Sequence, residues 1–168
     1  DFETKHLAEY TTPRFPKETE RLVKNLRRKK EKDLKSLMSI SDNIAQLNVE
    51  RYQSFQGTAD PEVSRPAIHA FKGDVYIGLD SGSLKNSDLD YAQNHLRILS
   101  GLYGLLRPLD LIEPYRLEMG TRLKIGKHEN LYQFWGDKIA SLLNKEMKEE
   151  DADILLNLAS KEYFKSVN

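Results

Sequence analysis

The sequence of 168 residues contains no cysteine. This absence excludes disulfide bonds, thiolate metal sites and a cysteine nucleophile, and it fits a reducing cytoplasm. The sequence also lacks any run of about 18 to 20 apolar residues, the length that a membrane-spanning helix needs. Its first ten residues, DFETKHLAEY, hold no apolar signal core. We therefore expect a soluble, cytoplasmic protein.

The usual nucleotide-binding and metal-binding motifs are missing as well. Neither GxxxxGK[ST] nor GxGxxG occurs, which removes the common phosphate-binding loops. The histidines stand apart, without HxxxH or HxH spacing and without a thiol nearby. They are His6, His69, His95 and His128. We predict no metal site and no cofactor.

The formal net charge is zero, because 26 basic side chains balance 26 acidic ones. The distribution is uneven, however, since residues 14–35 hold ten Lys or Arg against four Asp or Glu. The run RRKKEK at 27–32 is typical of a solvated helix surface. A surface for a partner protein is a further possibility, and the basic helix at 17–35 is its best candidate. An argument for nucleic-acid binding must therefore rest on local clusters of charge.

The pattern of apolar residues predicts a helix-rich α+β domain. Three- and four-residue spacing indicates one or two helices from Pro16, a further helix after the cap Ser41, and an amphipathic helix at 131–147. Ser87 is a candidate N-cap for a helix that continues to Leu99. The segments DVYIGL (74–79) and ILLNL (154–158) favour strands. So few strands make an incomplete sheet, and we expect a partner strand from outside residues 1–168.

The block 96–123, LRILSGLYGLLRPLDLIEPYRLEMGTRL, contains four arginines and no lysine. They are Arg97, Arg107, Arg116 and Arg122. A planar guanidinium matches phosphate or carboxylate oxygens two at a time, so the cluster indicates shaped anion recognition. The alternative is that the arginines bridge buried carboxylates such as those of Asp110, Glu113 and Glu118.

Two further features indicate phosphate contacts. Gly101 and Gly104 form a turn that is similar to the hairpin of a helix-hairpin-helix module, where backbone N–H groups approach DNA phosphates. Two residues separate these glycines, whereas one is usual, and a purely conformational role in a helix C-cap is the alternative. Lys161 and Lys165 follow the expected strand at 154–158, a position where α/β proteins often bind ligands.

Five ordered segments resemble the signature blocks of the YaaA family of bacterial peroxide-stress proteins. These segments are LMSISDNIAQLN (37–48), FKGDVYIGL (71–79), HLRILSGLYGLLRPLDLIEPYRLEMGTRL (95–123), LYQFWGDKI (131–139) and NLASKEYFKSV (157–167). The resemblance implies a family-specific fold with a basic cleft and a helix-hairpin-helix-like element. It also implies binding to double-stranded DNA, resistance to hydrogen peroxide and limitation of intracellular iron.

Compared with this family, the chain lacks an N-terminal apolar strand and a basic C-terminal segment. We therefore expect one domain over residues 1–168 that is a fragment of a longer protein, with its oligomeric state open.

Two functions remain as hypotheses. The first is sequence-independent binding to double-stranded DNA through its phosphates. Its predicted contacts are Arg97, Gly101, Gly104, Arg107, Arg116, Arg122, Lys161 and Lys165. The alternative is an enzyme acting on a nucleobase or nucleotide in an arginine-lined pocket, with proton transfer by Glu118, Tyr163 or Lys161.

Overall fold

The computed structural model describes residues 10–167. Its first half is built from three helices, α1 (Pro16–Leu26), α2 (Glu31–Met38) and α3 (Asp42–Ser54). Pro16 suits the first turn of α1 because proline there loses no helical hydrogen bond. The Ser41 hydroxyl accepts the N–H of Ile44 at 3.5 Å and caps α3. The helical pattern predicted from Pro16 onward, and the cap at Ser41, are confirmed.

Two small antiparallel sheets follow in the described part of the chain. Strand β1 (Arg65–Pro66) pairs with β4 (Leu111–Ile112), with Arg65 opposite Ile112. Strands β2 (Ile98–Ser100) and β3 (Gly104–Leu106) form a hairpin. A parallel bridge between Thr11 and Asp110 adds the amino-terminal segment to the first sheet.

Short helices complete the fold between residues 10 and 167. They are α4 (Ala67–Ala70), α5 (Asp74–Leu79), α6 (Asn86–His95), α7 (Leu131–Trp135), α8 (Lys138–Glu149) and α9 (Lys161–Phe164), with 3₁₀ turns at Ser81–Ser83 and Lys165–Val167. This arrangement confirms the helix-rich α+β class that the sequence predicts.

The core lies where α1, α3 and α7 meet the β2–β3 hairpin. Trp135 is fully buried, and its indole N–H donates to the carbonyl of Gly101 at 3.0 Å. Phe15 packs edge-on against the Trp135 ring, with 5.3 Å between centroids. Burial of such large aromatic groups is a main source of stability in a domain without disulfides.

Two predicted strands are wrong. Residues 74–79 form helix α5, in which no side chain is fully buried and Tyr76 stacks on Phe71 with 5.2 Å between ring centroids. Residues 154–158 form neither helix nor strand. Valine, isoleucine and tyrosine favour strands only where a neighbouring strand offers pairing and packing, and the described residues offer none at these positions.

Two helix boundaries also differ from the prediction. Helix α6 begins at Asn86 and ends at His95, so Ser87 lies inside it, and Ile98 and Leu99 pair with β3. The helix expected over 131–147 is divided in two at Gly136, which has φ of +49°. A residue with positive φ cannot continue a right-handed helix, so α8 begins afresh at Lys138.

Candidate functional site

Arg97 is held inside the protein by two glutamates. Its Nε donates to Glu146 at 2.6 Å and its Nη2 donates to Glu150 at 2.6 Å. Its Nη1 donates to the carbonyl of Gln93 at 3.0 Å, and the side chain is 13% exposed. With its donors used in this way, Arg97 joins α8 to the end of α6. Sequence patterns did not indicate either glutamate as its partner.

Arg107 is bound in a similar way to Asp110, which is fully buried. Its Nη2 and Nε lie 2.9 and 3.2 Å from Oδ1 of Asp110, and its backbone N–H donates to Oδ2 at 2.7 Å. Thr11 donates its hydroxyl to the same carboxylate at 2.6 Å. The alternative that the sequence left open, an arginine bridging a buried carboxylate, is therefore the arrangement at Arg107.

Arg14 is a third buried arginine, and no sequence pattern indicated it. It forms an ion pair with Glu146 and donates to the carbonyl of Leu105 at 3.1 Å. Burial lowers the pKa of Arg14 to about 10, and the nearby Asp110 opposes that shift. Arg14 lies outside the arginine block, so only the packing of α8 against the hairpin reveals its role.

The predicted helix-hairpin-helix element is a β-hairpin in the structure. Gly101 and Gly104 lie in the buried turn that joins β2 to β3. A Cβ on Gly101 would lie 2.3 Å from the carbonyl oxygen of Leu117, and Gly104 has φ of +75° with Trp135 2.8 Å from its Cβ position. Close packing requires glycine at both positions. Gly101 and Gly104 are both buried, so neither is accessible to a ligand. The two glycines thus have the conformational role that the sequence left open as the alternative. The turn follows a strand, however, and not the helix that was expected.

Arg116 and Arg122 are on the surface. Arg116 is half-exposed and donates to Glu118 at 2.7 Å. Arg122 is exposed and has no hydrogen bond or ion pair to any residue between 10 and 167. Glu113, the third carboxylate considered from the sequence, instead accepts the backbone N–H groups of Gln56 and Gly57 at 2.9 and 2.7 Å.

Lys161 and Lys165 lie at the two ends of α9, and both are exposed. The Lys165 ammonium lies 4.9 Å from the centre of the Tyr132 ring, a cation–π distance. Between them, Glu162 accepts the N–H of Gly120 at 2.8 Å. This contact holds α9 beside the segment that carries Arg122.

A polar cleft of about 600 Å³ separates α2 from this segment. Ser36 and Ser39 line one side, and Glu118, Arg122 and Glu162 line the other. Of the groups proposed for proton transfer, Glu118 lines this cleft, whereas Tyr163 is half-buried beside it. Burial, with a smaller effect of Glu162, raises the pKa of Tyr163 to about 12. Tyr163 therefore stays protonated near neutral pH and can donate a hydrogen bond, but it is a poor general base there.

Residues 27–30 of the basic run connect α1 to α2, whereas Glu31 and Lys32 form the start of α2, so the run is partly a turn and partly a helix surface. Arg27 donates to the carbonyls of Tyr52, at 2.8 Å, and Phe55. The next cations form no ion pair with a described carboxylate. They are Arg28, Lys29, Lys30 and Lys32. Composition revealed this concentration of charge, but only the structure separates the bound Arg27 from these neighbours.

Two negative findings apply to residues 10–167. No helix there is long and apolar enough to cross a membrane. No three His, Cys, Asp or Glu side chains there come together as a metal-binding group.

Comparison with known proteins identifies relatives over the whole chain. A family model described as peroxide stress protein YaaA matches residues 1–168. A UPF0246 protein of Aliivibrio fischeri MJ11 is 51% identical over 168 residues, covering 99% of this chain. A UPF0246 protein of Hahella chejuensis is 53% identical over 169 residues, covering 100%.

This chain spans less than two thirds of those relatives, 65% of the first and 66% of the second. The match over every residue and the identity near one half agree with the signature blocks found in the sequence. The chain belongs to the YaaA family of peroxide stress proteins.

Proposed function

We propose that the chain is part of a peroxide-stress protein that binds double-stranded DNA through the phosphate backbone. The proposed contacts are the exposed cations Arg116, Arg122, Lys161 and Lys165, together with the basic turn, by which we mean Arg28, Lys29 and Lys30 between α1 and α2 and Lys32 in the first turn of α2. A cytoplasmic location belongs to the proposal because the chromosome lies there. Limitation of iron and of oxidative damage is the physiological outcome that the family resemblance implies.

The observation that carries this proposal is that Arg122 and the four cations at 28–32, unlike Arg116, have no ion-pair partner among residues 10–167. The carbonyl of Lys124 accepts a hydrogen bond from Asn25 at 3.2 Å, which ties the segment after Arg122 to the end of α1. Arg122 also shares its cleft with Ser36, one helical turn beyond Lys32 on α2. These contacts place Arg122 on the side of the molecule where α1 ends and α2 runs. Because these cations have no ion pair within the described residues, binding to phosphate does not have to break one.

Arg97, Arg107, Gly101 and Gly104 have a structural role in this proposal. The two arginines already pair with carboxylates of the protein, Arg97 with Glu146 and Arg107 with the buried Asp110, and the two glycines are enclosed by protein atoms. Their presence in the family's longest block is explained by the construction of the hairpin.

The test is fluorescence anisotropy with a labelled duplex DNA across a salt series. Replacing Arg28, Lys29, Lys30 and Lys32 by glutamine should weaken binding at least tenfold. The salt slope should fall by up to about 0.9 for each phosphate that the variant no longer neutralises. A matched control replaces four exposed lysines elsewhere, with the same change in charge. These are Lys72, Lys85, Lys127 and Lys148.

Equal weakening in both variants would show only a general effect of net charge and would contradict the proposed surface. Wild-type affinity that does not change between 50 and 200 mM salt would contradict phosphate binding itself.

An enzyme acting on a nucleobase or nucleotide is the second candidate. It is favoured by the cleft that places Arg122 beside the carboxylates of Glu118 and Glu162. Calorimetric titration with nucleoside monophosphates tests it. Binding that is lost in Arg122→Gln and kept in Lys127→Gln would support this function, and no binding would exclude it for the tested ligands.

A further inference from the structure

Ser81 and His69 form a hydrogen-bonded pair that the proposed function does not use. Nδ1 of His69 lies 2.9 Å from Oγ of Ser81. His69 lies in α4, and Ser81 begins the 3₁₀ turn that follows α5, so two separate elements bring the two side chains together. A serine hydroxyl within hydrogen-bond distance of a histidine ring is the arrangement of a nucleophile and its general base.

The backbone before Ser81 explains how the pair forms. Asp80 ends α5 in the left-handed conformation, with φ of +45° and ψ of 57°. This conformation stops the right-handed helix and changes the direction of the chain, and the turn at Ser81–Ser83 contacts α4. Ser83 closes the turn, because its N–H and its hydroxyl each donate to the carbonyl of Asp80 at 2.9 Å. The hydroxyl of Ser81 is not needed for the turn and is left to His69.

The surroundings of His69 keep its ring neutral near pH 7. Burial lowers the pKa of His69 from its usual value of about 6.5. A neutral imidazole has a hydrogen on one nitrogen and a lone pair on the other. In the tautomer with its hydrogen on Nε2, Nδ1 accepts the hydroxyl hydrogen of Ser81, which is the role of a general base.

Ser81 is also open to a ligand and has hydrogen-bond donors beside it. The residue is only partly buried, and a Cβ added to Gly82 would meet nothing within 4 Å beyond its chain neighbours. The backbone N–H groups of Ser81 and Gly82 have no acceptor among residues 10–167. Donors next to a nucleophile stabilise the oxyanion that forms when it attacks a carbonyl group.

We propose that Ser81 is a nucleophile activated by His69, and that the pair hydrolyses carboxylic esters with short apolar acyl groups. The apolar preference follows from Val75 and Ile77, which are 67% and 69% exposed on the helix that leads to Ser81. The activity goes beyond DNA binding and does not depend on it, because no proposed phosphate contact lies between residues 67 and 83.

The reaction has two steps. Oγ of Ser81 bonds to the carbonyl carbon and its hydrogen passes to Nδ1 of His69; the bond to the leaving oxygen then breaks, and the departing alcohol takes that hydrogen. Water next attacks the acyl group and gives a hydrogen to Nδ1, and the Oγ–carbon bond breaks as Ser81 regains its hydrogen. The net change converts ester and water into carboxylic acid and alcohol, without an oxidant or a reductant.

A fluorophosphonate probe tests the nucleophile directly, with the 168-residue chain at pH 7.5 and the modified residue mapped by mass spectrometry. Oγ attacks phosphorus, the P–F bond breaks, and fluoride leaves with the hydroxyl hydrogen as HF. We expect one phosphonyl group per chain, on Ser81. Labelling of Ser81→Ala should be slower by about 100-fold or more. Ser83→Ala is the matched control, since its hydroxyl is exposed two residues away, and it should be labelled at the wild-type rate.

The general base and the substrate class need two further measurements. His69→Gln should be labelled about 100-fold more slowly than wild type, because the hydroxyl then lacks a base. Wild type should hydrolyse p-nitrophenyl butyrate with a higher kcat/KM than p-nitrophenyl acetate, and Ser81→Ala should lose this activity while Ser83→Ala keeps it.

A wild-type chain that is not labelled, or a label that maps to another serine, would overturn the proposal. Equal labelling rates in wild type and a folded His69→Gln, checked by circular dichroism, would contradict the general base. The comparison of Ser81→Ala with Ser83→Ala decides the nucleophile even where His69→Gln does not fold. A kcat/KM for the butyrate no higher than for the acetate would contradict the apolar acyl group.

Discussion

At the scale of single residues, carboxylates decide which arginines remain free to bind a ligand. Glu146 is 13% exposed and pairs with both Arg14 and Arg97, whereas Arg122 has no described partner. Removing one member of a buried ion pair leaves an uncompensated charge, which costs more than losing an exposed pair. The role of an arginine in this chain therefore depends on its neighbours in space.

Glu146→Gln should lower the free energy of unfolding by about 3–5 kcal/mol, because two buried guanidinium groups lose their counter-charge. Glu150→Gln should lower it by no more than about 1 kcal/mol, since this side chain is 43% exposed and Arg97 keeps Glu146. Urea unfolding followed by circular dichroism measures both. Similar losses in the two variants would contradict the central position assigned to Glu146.

His69 should make the stability depend on pH. Burial lowers the pKa of His69, whose Nδ1 lies 2.9 Å from the hydroxyl of Ser81. The unfolded chain binds a proton on this residue near pH 6.5, while the folded chain binds it only at lower pH. Its contribution to stability is therefore complete above about pH 6.5 and is lost as the pH falls below that value and through the lower pKa of the folded chain.

The measurement is urea unfolding of wild type and His69→Gln at pH 7.5 and 5.5. Glutamine does not titrate and still offers an amide to Ser81. The variant should lose less stability on acidification than wild type does, and an identical loss in both would assign the pH dependence to other groups.

At the scale of elements, the β2–β3 hairpin shows how a glycine pair can signal packing. Gly101 lies against the backbone of Leu117, and Gly104 combines positive φ with contact to Trp135. The spacing of two residues between these glycines departs from the helix-hairpin-helix pattern, and it is the spacing that lets Ser100 pair with Gly104 across the turn. The sequence located the turn correctly, but the partners on each side of it determined its type.

Gly101→Ala should strongly destabilise the protein, because the new Cβ would lie 2.3 Å from the Leu117 carbonyl oxygen and the backbone would have to move. Gly78→Ala is the matched control, since a Cβ there meets nothing within 4 Å and Gly78 lies inside α5. We expect the control to gain up to about 1 kcal/mol from the higher helix propensity of alanine. Thermal unfolding measures both, and a midpoint for Gly101→Ala within a degree of wild type would contradict the close packing.

At the scale of the whole molecule, a net charge of zero conceals a difference between paired and unpaired cations. The buried arginines of the hairpin region are neutralised locally, whereas no carboxylate between residues 10 and 167 forms an ion pair with residues 28–32 of the basic turn. On the proposed function, a polyanion would contact the basic turn, although the total charge does not attract it over long distances.

The dependence of DNA affinity on salt should show whether the proposed cations contact phosphates. Wild type should show a linear fall of log K with log salt, and Arg122→Gln should reduce the slope by about 0.9 or less. The paired Lys145, 3.6 Å from Glu149, gives a control in Lys145→Gln, whose slope should stay close to wild type. A larger reduction of the slope in the control than in Arg122→Gln would contradict the proposed contact at Arg122.

The sequence by itself determined the α+β class, the helices from Pro16 to Ser54, the family and the positions of the arginine block and the glycine turn. These follow from local periodicity, capping and residue order, which do not require knowledge of distant contacts. Tertiary structure alone decided that Arg97 and Arg107 are internal, that Arg122 has no partner among residues 10–167, and that residues 74–79 are helical. The physical reason is that ion pairing and strand formation depend on partners distant in sequence, such as Glu146 for Arg97 and β3 for Ile98 and Leu99.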